Sequence, residues 1–147
     1  MLSIPQYYDY ILNIVGDGPE RENLEKLALS LGIEKNVIFH GYLFHTDAAP
    51  LGRRAKALLI NTKSDLNMVS VPESIVNGTP VLMNEVPNTA HFVNSNGLGI
   101  AKKDWDEKDL MEMIARYEEF HLNCSNIRDS LTNESSAKKI VDISENL

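Results

Sequence analysis

The sequence predicts an α/β fold, a Rossmann-like parallel sheet with helices on both faces. Two observations carry that expectation. Short apolar runs alternate along the chain with amphipathic segments of helical spacing, the pattern of repeated strand–helix units. The apolar runs are also nearly continuous rather than alternating, as in strands whose two faces are both covered.

The elements follow in order. Ile11-Leu12-Asn13-Ile14-Val15 reads as a buried strand, ended tightly by Gly16-Asp17-Gly18-Pro19-Glu20. Pro19 suits the first turn of a helix, where a missing N–H costs nothing. Leu24, Leu27, Ala28 and Leu31 then recur at helical spacing, and Gly32 predicts a C-terminal cap. Asn36 to Gly41 is a second strand. A polar turn through His45-Thr46-Asp47 leads to a short helix that includes Leu51 and Ala55. Ala57 to Asn61, Pro80 to Asn84 and Gly97 to Ala101 are three further strands. Asp104 and Glu107 have the spacing of a capping box. Leu110, Met113, Ile114 and Tyr117 give the apolar stripe of the helix behind it. A last helix is expected from about Ser136, with Ile140, Val141 and Ile143 on its apolar side.

The chain has 147 residues, the size of one ordinary domain, with 43% hydrophobic and 24% charged residues. A net charge of −7 argues against direct nucleic-acid binding, which needs a basic patch or stripe. Cys124 is the sole cysteine, so no internal disulfide forms, in keeping with a reducing compartment. It sits in a polar stretch without a glycine elbow, a poor setting for a nucleophile. No apolar run approaches the roughly 20 residues of a membrane span, and no signal peptide is evident. A soluble, cytoplasmic protein is the expectation. His40, His45, His91 and His121 lack metal-ligand spacing, and Asp104-Trp105-Asp106 reads as a helix cap rather than a metal motif. No cofactor or metal is expected.

The chemistry concentrates between Asp65 and Val81. Asp65 and Glu73 lie eight positions apart, the second expected to open a short helix that stops at Asn77-Gly78. A carboxylate at such a place accepts hydrogen bonds from sugar or ribose hydroxyls. The backbone N–H groups of a helix start hold phosphate. One short segment therefore has the means to bind both parts of a nucleotide-sugar.

In order along the chain, Leu12 to Glu20, Leu31-Gly32, Asn36 to Gly41, Asn61-Thr62, Asp65 to Glu73, Gly78-Thr79-Pro80-Val81 and Gly97-Leu98-Gly99 resemble one known pattern. It is that of the C-terminal, nucleotide-sugar-binding domain of group 1 retaining GT-B glycosyltransferases. The resemblance implies one half of a GT-B architecture, with residues 1–147 as a partial C-terminal domain. The hallmark of that family is Glu, seven residues, Glu; here Asp65 stands at the first position and Glu73 at the second. Glu73 is then implied to hold the ribose hydroxyls. Asp65 is implied as the catalytic-side carboxylate facing the donor sugar. Asn67, Met68, Val69 and Ser70 occupy the place of a glycine-rich turn that meets the diphosphate, without its glycines. Gly16 and Leu43 complete the implied donor contacts, with the base lying near Tyr42, Leu43 and Phe44.

Two parts of the family pattern are missing. They are the first strand and helix of the domain, which bring an Arg and a Lys to the diphosphate, and the N-terminal acceptor domain. Neither Lys nor Arg precedes Arg21. The implied partners are thus a nucleotide diphosphate sugar and an acceptor domain or chain, with peripheral membrane association through the missing half. The implied reaction is retaining sugar transfer to a hydroxyl acceptor in surface polysaccharide or glycoconjugate synthesis. The isolated chain would be inactive. The rival reading is a non-catalytic α/β structural or regulatory module. An epimerase of the same architecture is weaker, since its carboxylate and histidine pattern is not evident.

Overall fold

A computed structural model describes residues 10–131. The chain divides after Ala48 into two units.

The first unit contains β1 (Leu12–Val15), α1 (Arg21–Ser30), a single 3-10 turn (Glu34–Asn36) and β2 (Val37–Gly41). The helix α2 (His45–Arg54) begins here and runs past the division. β1 and β2 pair in parallel, Leu12 opposite Val37 and Ile14 opposite Phe39. A parallel pair needs a crossover, and α1 supplies it. The helix stops as its sequence predicts. Gly32 takes φ +68°, and the N–H groups of Ile33 and Gly32 donate to the Ala28 and Leu29 carbonyls, a Schellman motif. The expected burial does not follow. Leu12, Val15, Leu24, Leu27, Leu31 and Ile38 are all exposed, and Ala28 alone of the α1 stripe is buried. The pattern is present, but a two-stranded sheet and one helix offer too little surface to cover it.

The second unit contains β3 (Leu58–Ile60), α3 (Ser70–Val76), β4 (Val81–Met83), α4 (Ala90–Ser95), β5 (Gly99–Ala101), α5 (Glu107–Ala115) and α6 (Tyr117–Ile127). A 3-10 turn, Arg128–Leu131, ends the described chain. The three strands form a parallel sheet in the order β3-β4-β5. Leu58, Val81 and Gly99 lie in one row and Ile60, Met83 and Ala101 in another.

β4 is the centre of this unit. Val81, Leu82 and Met83 each have 0% exposure. Alternation along the strand sends Val81 and Met83 to one face and Leu82 to the other. Each face has its own apolar cluster. The first contains Ile60, Val71, Ile75, Val93, Leu98 and Cys124. The second joins Leu82 to Met113 and Phe120, with Trp105 and Leu110 packed against them. Full burial of each such side chain stabilises the fold by about 1.5–3 kcal/mol.

Several local expectations need correction. α3 begins at Ser70, so Glu73 lies within its first turn rather than opening it. Pro72 fits there, since first-turn N–H groups have no intrahelical acceptor. The cap of α5 is Asp106, not Asp104. Trp105 Nε1 donates to the Ile60 carbonyl and so fixes where the chain can turn into the helix. Asp106 accepts from the Lys108 and Asp109 N–H groups, and the Asp109 carboxylate accepts from the Asp106 N–H at 2.9 Å. The helix expected to run through Tyr117 breaks at Arg116, which has φ −102° and ψ 18°. The Arg116 guanidinium pairs with Glu112 and Glu119 and lies over the Phe120 ring. α4 was not foreseen. The helix expected from Ser136 lies outside the described residues.

Gly99 is the tightest point of the sheet. Its φ is +151°, and a Cβ built there would sit 2.0 Å from the Val81 carbonyl oxygen. Gly99→Ala is therefore expected to destabilise the protein by about 3 kcal/mol or more in a denaturant titration. A pH effect is expected from the α5 cap. The hydrogen bond from Asp106 N–H, then that from Lys102, holds the Asp109 carboxyl below its ordinary 3.8. A depressed carboxylate stabilises the fold above its unfolded pKa, and that contribution fades as pH falls through the folded value. Asp109→Asn should thus lower the melting temperature at neutral pH, with the difference closing as pH falls below the ordinary carboxylate range.

Candidate functional site

The C-terminal ends of parallel strands are where open α/β sheets bind ligands. In the second unit, the loop carrying Asp65 leaves the C-terminal end of β3 and enters α3. It is built from short-range hydrogen bonds. Thr62 Oγ1 accepts from the Asp65 N–H at 3.2 Å. Asp65 Oδ1 accepts from the Asn67 N–H at 3.1 Å, an Asx-type turn that sets the direction of the carboxylate. Asp65, Asn67, Val69 and Glu73 are exposed, and Ser70 is half-buried. Met68 is half-buried and packs against the core, so its side chain anchors the loop.

The start of α3 carries no side-chain cap. Val69 stands at the N-cap with helical angles and no capping hydrogen bond. A capping Ser, Thr, Asp or Asn would occupy one of the N–H groups at this end. The N–H groups of Val71 and Glu73 donate to the Met68 and Val69 carbonyls. The far end of the helix is fixed more firmly. Gly78 takes φ +79°, and His121 lies against it with Nδ1 2.6 Å from its carbonyl oxygen. Ser74 Oγ donates to the Thr79 carbonyl, and Thr79 Oγ1 donates to the Gly52 carbonyl.

A second loop, after β4, braces the first. Asn84 is 7% exposed. Its Nδ2 donates to Asn61 Oδ1 and the Thr62 carbonyl, and its Oδ1 accepts from the Thr62 N–H. The Asn88 N–H donates to the Leu66 carbonyl and its Nδ2 to Asn67 Oδ1. Asn88 also lines an open hollow of about 380 Å³ with Glu85, His91 and Asn94. Reading the sequence missed Asn84 and Asn88. The available signal was a polar residue placed at once after the apolar run Val81-Leu82-Met83.

The first unit presents the ends of its own strands. Gly16, with φ +123°, donates its N–H to the Gly41 carbonyl at 2.8 Å. A shallow concavity of about 280 Å³ lies there, lined by Gly16, Asp17, Gly18, Arg21 and Phe39 among others. Arg21 is engaged by Glu25 at 2.9 Å and Asp17 at 3.9 Å. Leu43 is half-buried, between the exposed rings of Tyr42 and Phe44, which meet edge to face at 5.7 Å.

Other candidates resolve into structural roles. His40 and His91 hydrogen-bond to Asn13 and Ser95. Cys124 is fully buried, and burial pushes its thiol up to about 11, which keeps it protonated and unreactive. Among the described residues no group of three His, Cys, Asp or Glu side chains could hold a metal ion. No helix among them is long and apolar enough to cross a membrane.

Parallel strands joined by helices, with an acidic loop at the strand ends, give the α/β fold of one half of a GT-B glycosyltransferase. The chain belongs to the family described as Glycosyl transferases group 1, which matches residues 1–135. Two solved structures are similar. One is WaaG, a glycosyltransferase involved in lipopolysaccharide biosynthesis, with a TM-score of 0.73 and 24% identity over 92% of this chain and 38% of that one. The other is Anabaena HepE in complex with UDP, with a TM-score of 0.67 and 18% identity over 94% of this chain and 41% of that one. In sequence, the chain is 27% identical over 88 residues to alpha-monoglucosyldiacylglycerol synthase of Streptococcus pneumoniae (strain ATCC BAA-255 / R6). That stretch is 60% of this chain and 20% of the relative. The chain thus spans about two fifths of the solved structures it matches.

Proposed function

We propose that this chain is the donor-binding half of a retaining glycosyltransferase. It binds a nucleotide diphosphate sugar, whose sugar passes to a hydroxyl acceptor in surface polysaccharide or glycoconjugate synthesis. The observation that carries the reading is the loop from β3 to α3. It sets the Asp65 carboxylate, turned by its own hydrogen bond to Asn67, four residues before the N-cap of a helix start without a side-chain cap.

The chemistry follows from charge. As the glycosidic bond to the diphosphate breaks, negative charge grows on the leaving oxygens and positive character on the sugar carbon. Backbone N–H groups of Met68, Val69 and Ser70 face the first change and stabilise it more as it develops, while the Asn67 N–H is kept by Asp65. Asp65 orients sugar hydroxyls beside the reacting carbon. Glu73, exposed in the first turn of α3, accepts hydrogen bonds from the ribose hydroxyls. In the first unit, Gly16 and Leu43 are assigned to donor contact by the family resemblance. The acceptor comes from an acceptor domain or partner chain, and the isolated chain binds donor without sustained turnover.

HepE was solved with UDP, which makes uridine nucleotides the first ligands to try. A second reading, a non-catalytic α/β module, draws on the exposed Leu12, Val15, Leu24, Leu27 and Ile38 of the first unit. Isothermal titration with a panel of nucleotide diphosphate sugars separates the two. The proposal expects binding that Glu73→Ala weakens about tenfold or more, the loss of a charged hydrogen-bond acceptor. Unchanged affinity in Glu73→Ala would overturn the ribose assignment. No binding by any member of the panel, with self-association in sedimentation, would favour the module.

A further inference from the structure

We propose that Asn84 is a positioning residue for the donor loop, acting on Asp65 through Thr62, with Asn88 bracing the same loop from its far side. The inference rests on the donor-binding reading above and assigns the residues that hold its central carboxylate in place.

Asn84 follows β4, the strand buried on both faces, so its backbone is anchored by the core. Its N–H donates to the Ile60 carbonyl at 3.2 Å, which ties it to the last residue of β3. Its side-chain amide then grips the next two residues. Nδ2 reaches the Thr62 carbonyl at 2.6 Å and Asn61 Oδ1 at 3.2 Å, while Oδ1 receives the Thr62 N–H at 3.3 Å. Both hydrogens and the oxygen of the amide are used, an arrangement that a carboxylate or a hydroxyl of similar size cannot reproduce.

Thr62, held on both its backbone groups, passes the constraint on. Its Oγ1 accepts from the N–H groups of Ser64 at 3.5 Å and Asp65 at 3.2 Å. Asp65 Oδ1 in turn accepts from Asn67 N–H. The run closes on the β4–α4 loop, where Asn88 Nδ2 donates to Asn67 Oδ1 at 3.3 Å and Asn88 N–H donates to the Leu66 carbonyl at 3.0 Å. An exposed five-residue stretch is thereby fixed from both ends by one loop whose root is the core. Exposed loops without such support lose the precision that hydroxyl recognition needs.

The role is tested by separating the sugar from the nucleotide. In the full chain, titration with UDP and with UDP-glucose gives a ratio of affinities that reports what the sugar adds. Asn84→Ala is expected to lower UDP-glucose affinity about tenfold while UDP affinity stays within about twofold. Asn88→Ala, at an exposed position with little folding risk, is expected to shift the same ratio in the same direction. Asn94→Ala is the control. Asn94 holds Ala101 at the end of β5 by two hydrogen bonds and, although it lines the same hollow as Asn88, gives no hydrogen bond to residues 62–67, so Asn94→Ala should lower stability without moving the ratio.

Amide hydrogen exchange of the unliganded chain gives a readout independent of binding. Thr62, Asp65 and Asn67 should exchange faster in Asn84→Ala than in Asn94→Ala. The positioning role is overturned if Asn84→Ala and Asn88→Ala keep the wild-type ratio, or weaken both ligands alike. It is equally overturned if Asn94→Ala moves the ratio as far. Failure of the unmodified chain to bind these or any other nucleotide diphosphate sugar of the panel would instead overturn the donor-binding reading, and this inference with it.

Discussion

Burial of β4 on both faces is the constraint on which the rest of the second unit depends. Three residues, Val81, Leu82 and Met83, belong to two different apolar clusters because their side chains alternate across the sheet. Neither cluster can move without disturbing the other. Gly99 lets β5 approach closely on one side, where any side chain would meet the Val81 backbone. β3 lies on the other side in matching register. The C-terminal end of β4 is therefore a fixed point, and the polar residues that follow it inherit that rigidity.

The proposed donor site lies at the margin of this rigid centre. The Asp65 loop is exposed and would be mobile on its own, yet its hydrogen bonds lead back to Asn84 and Asn88 on the loop after β4. The start of α3 lacks a capping side chain although its other end is held by His121, Ser74 and Thr79. An uncapped helix start is locally less stable, by about 1 kcal/mol relative to a good cap. On the proposed reading, the helix-start N–H groups that no side chain caps serve the donor diphosphate. The first unit, by contrast, leaves much of its apolar surface exposed. Its pairing and turns are well formed, but among the described residues its apolar side chains are mostly uncovered.

The strands and the main turns were legible because their signals are local. Five apolar runs became five strands, each trimmed by one or two residues at its ends. Gly32 stopped α1 because only a residue tolerant of positive φ allows that cap. What escaped reading depended on tertiary contacts. Asp104 and Glu107 fit a capping box as well as Asp106 and Asp109 do; the indole bond of Trp105 to Ile60, remote in sequence, decides between them. Cys124 looked polar by its neighbours, yet it follows Phe120 by one helical turn and shares its inward stripe. α4 is six residues long, too short to show a periodicity. Asp65 and Glu73 were visible as a pair through the family pattern. Asn84 was not, since an asparagine after a strand is ordinarily a turn residue, and its importance arises only from what lies opposite.

The central claim is that the segment from Asp65 to Glu73 receives the nucleotide-sugar. Backbone NMR of the labelled chain titrated with UDP-glucose tests it most directly. The account predicts that the largest amide shift changes fall on Leu66 to Ser70, Val71 and Glu73. Shift changes centred instead on α5 and α6, with that segment unmoved, would contradict it.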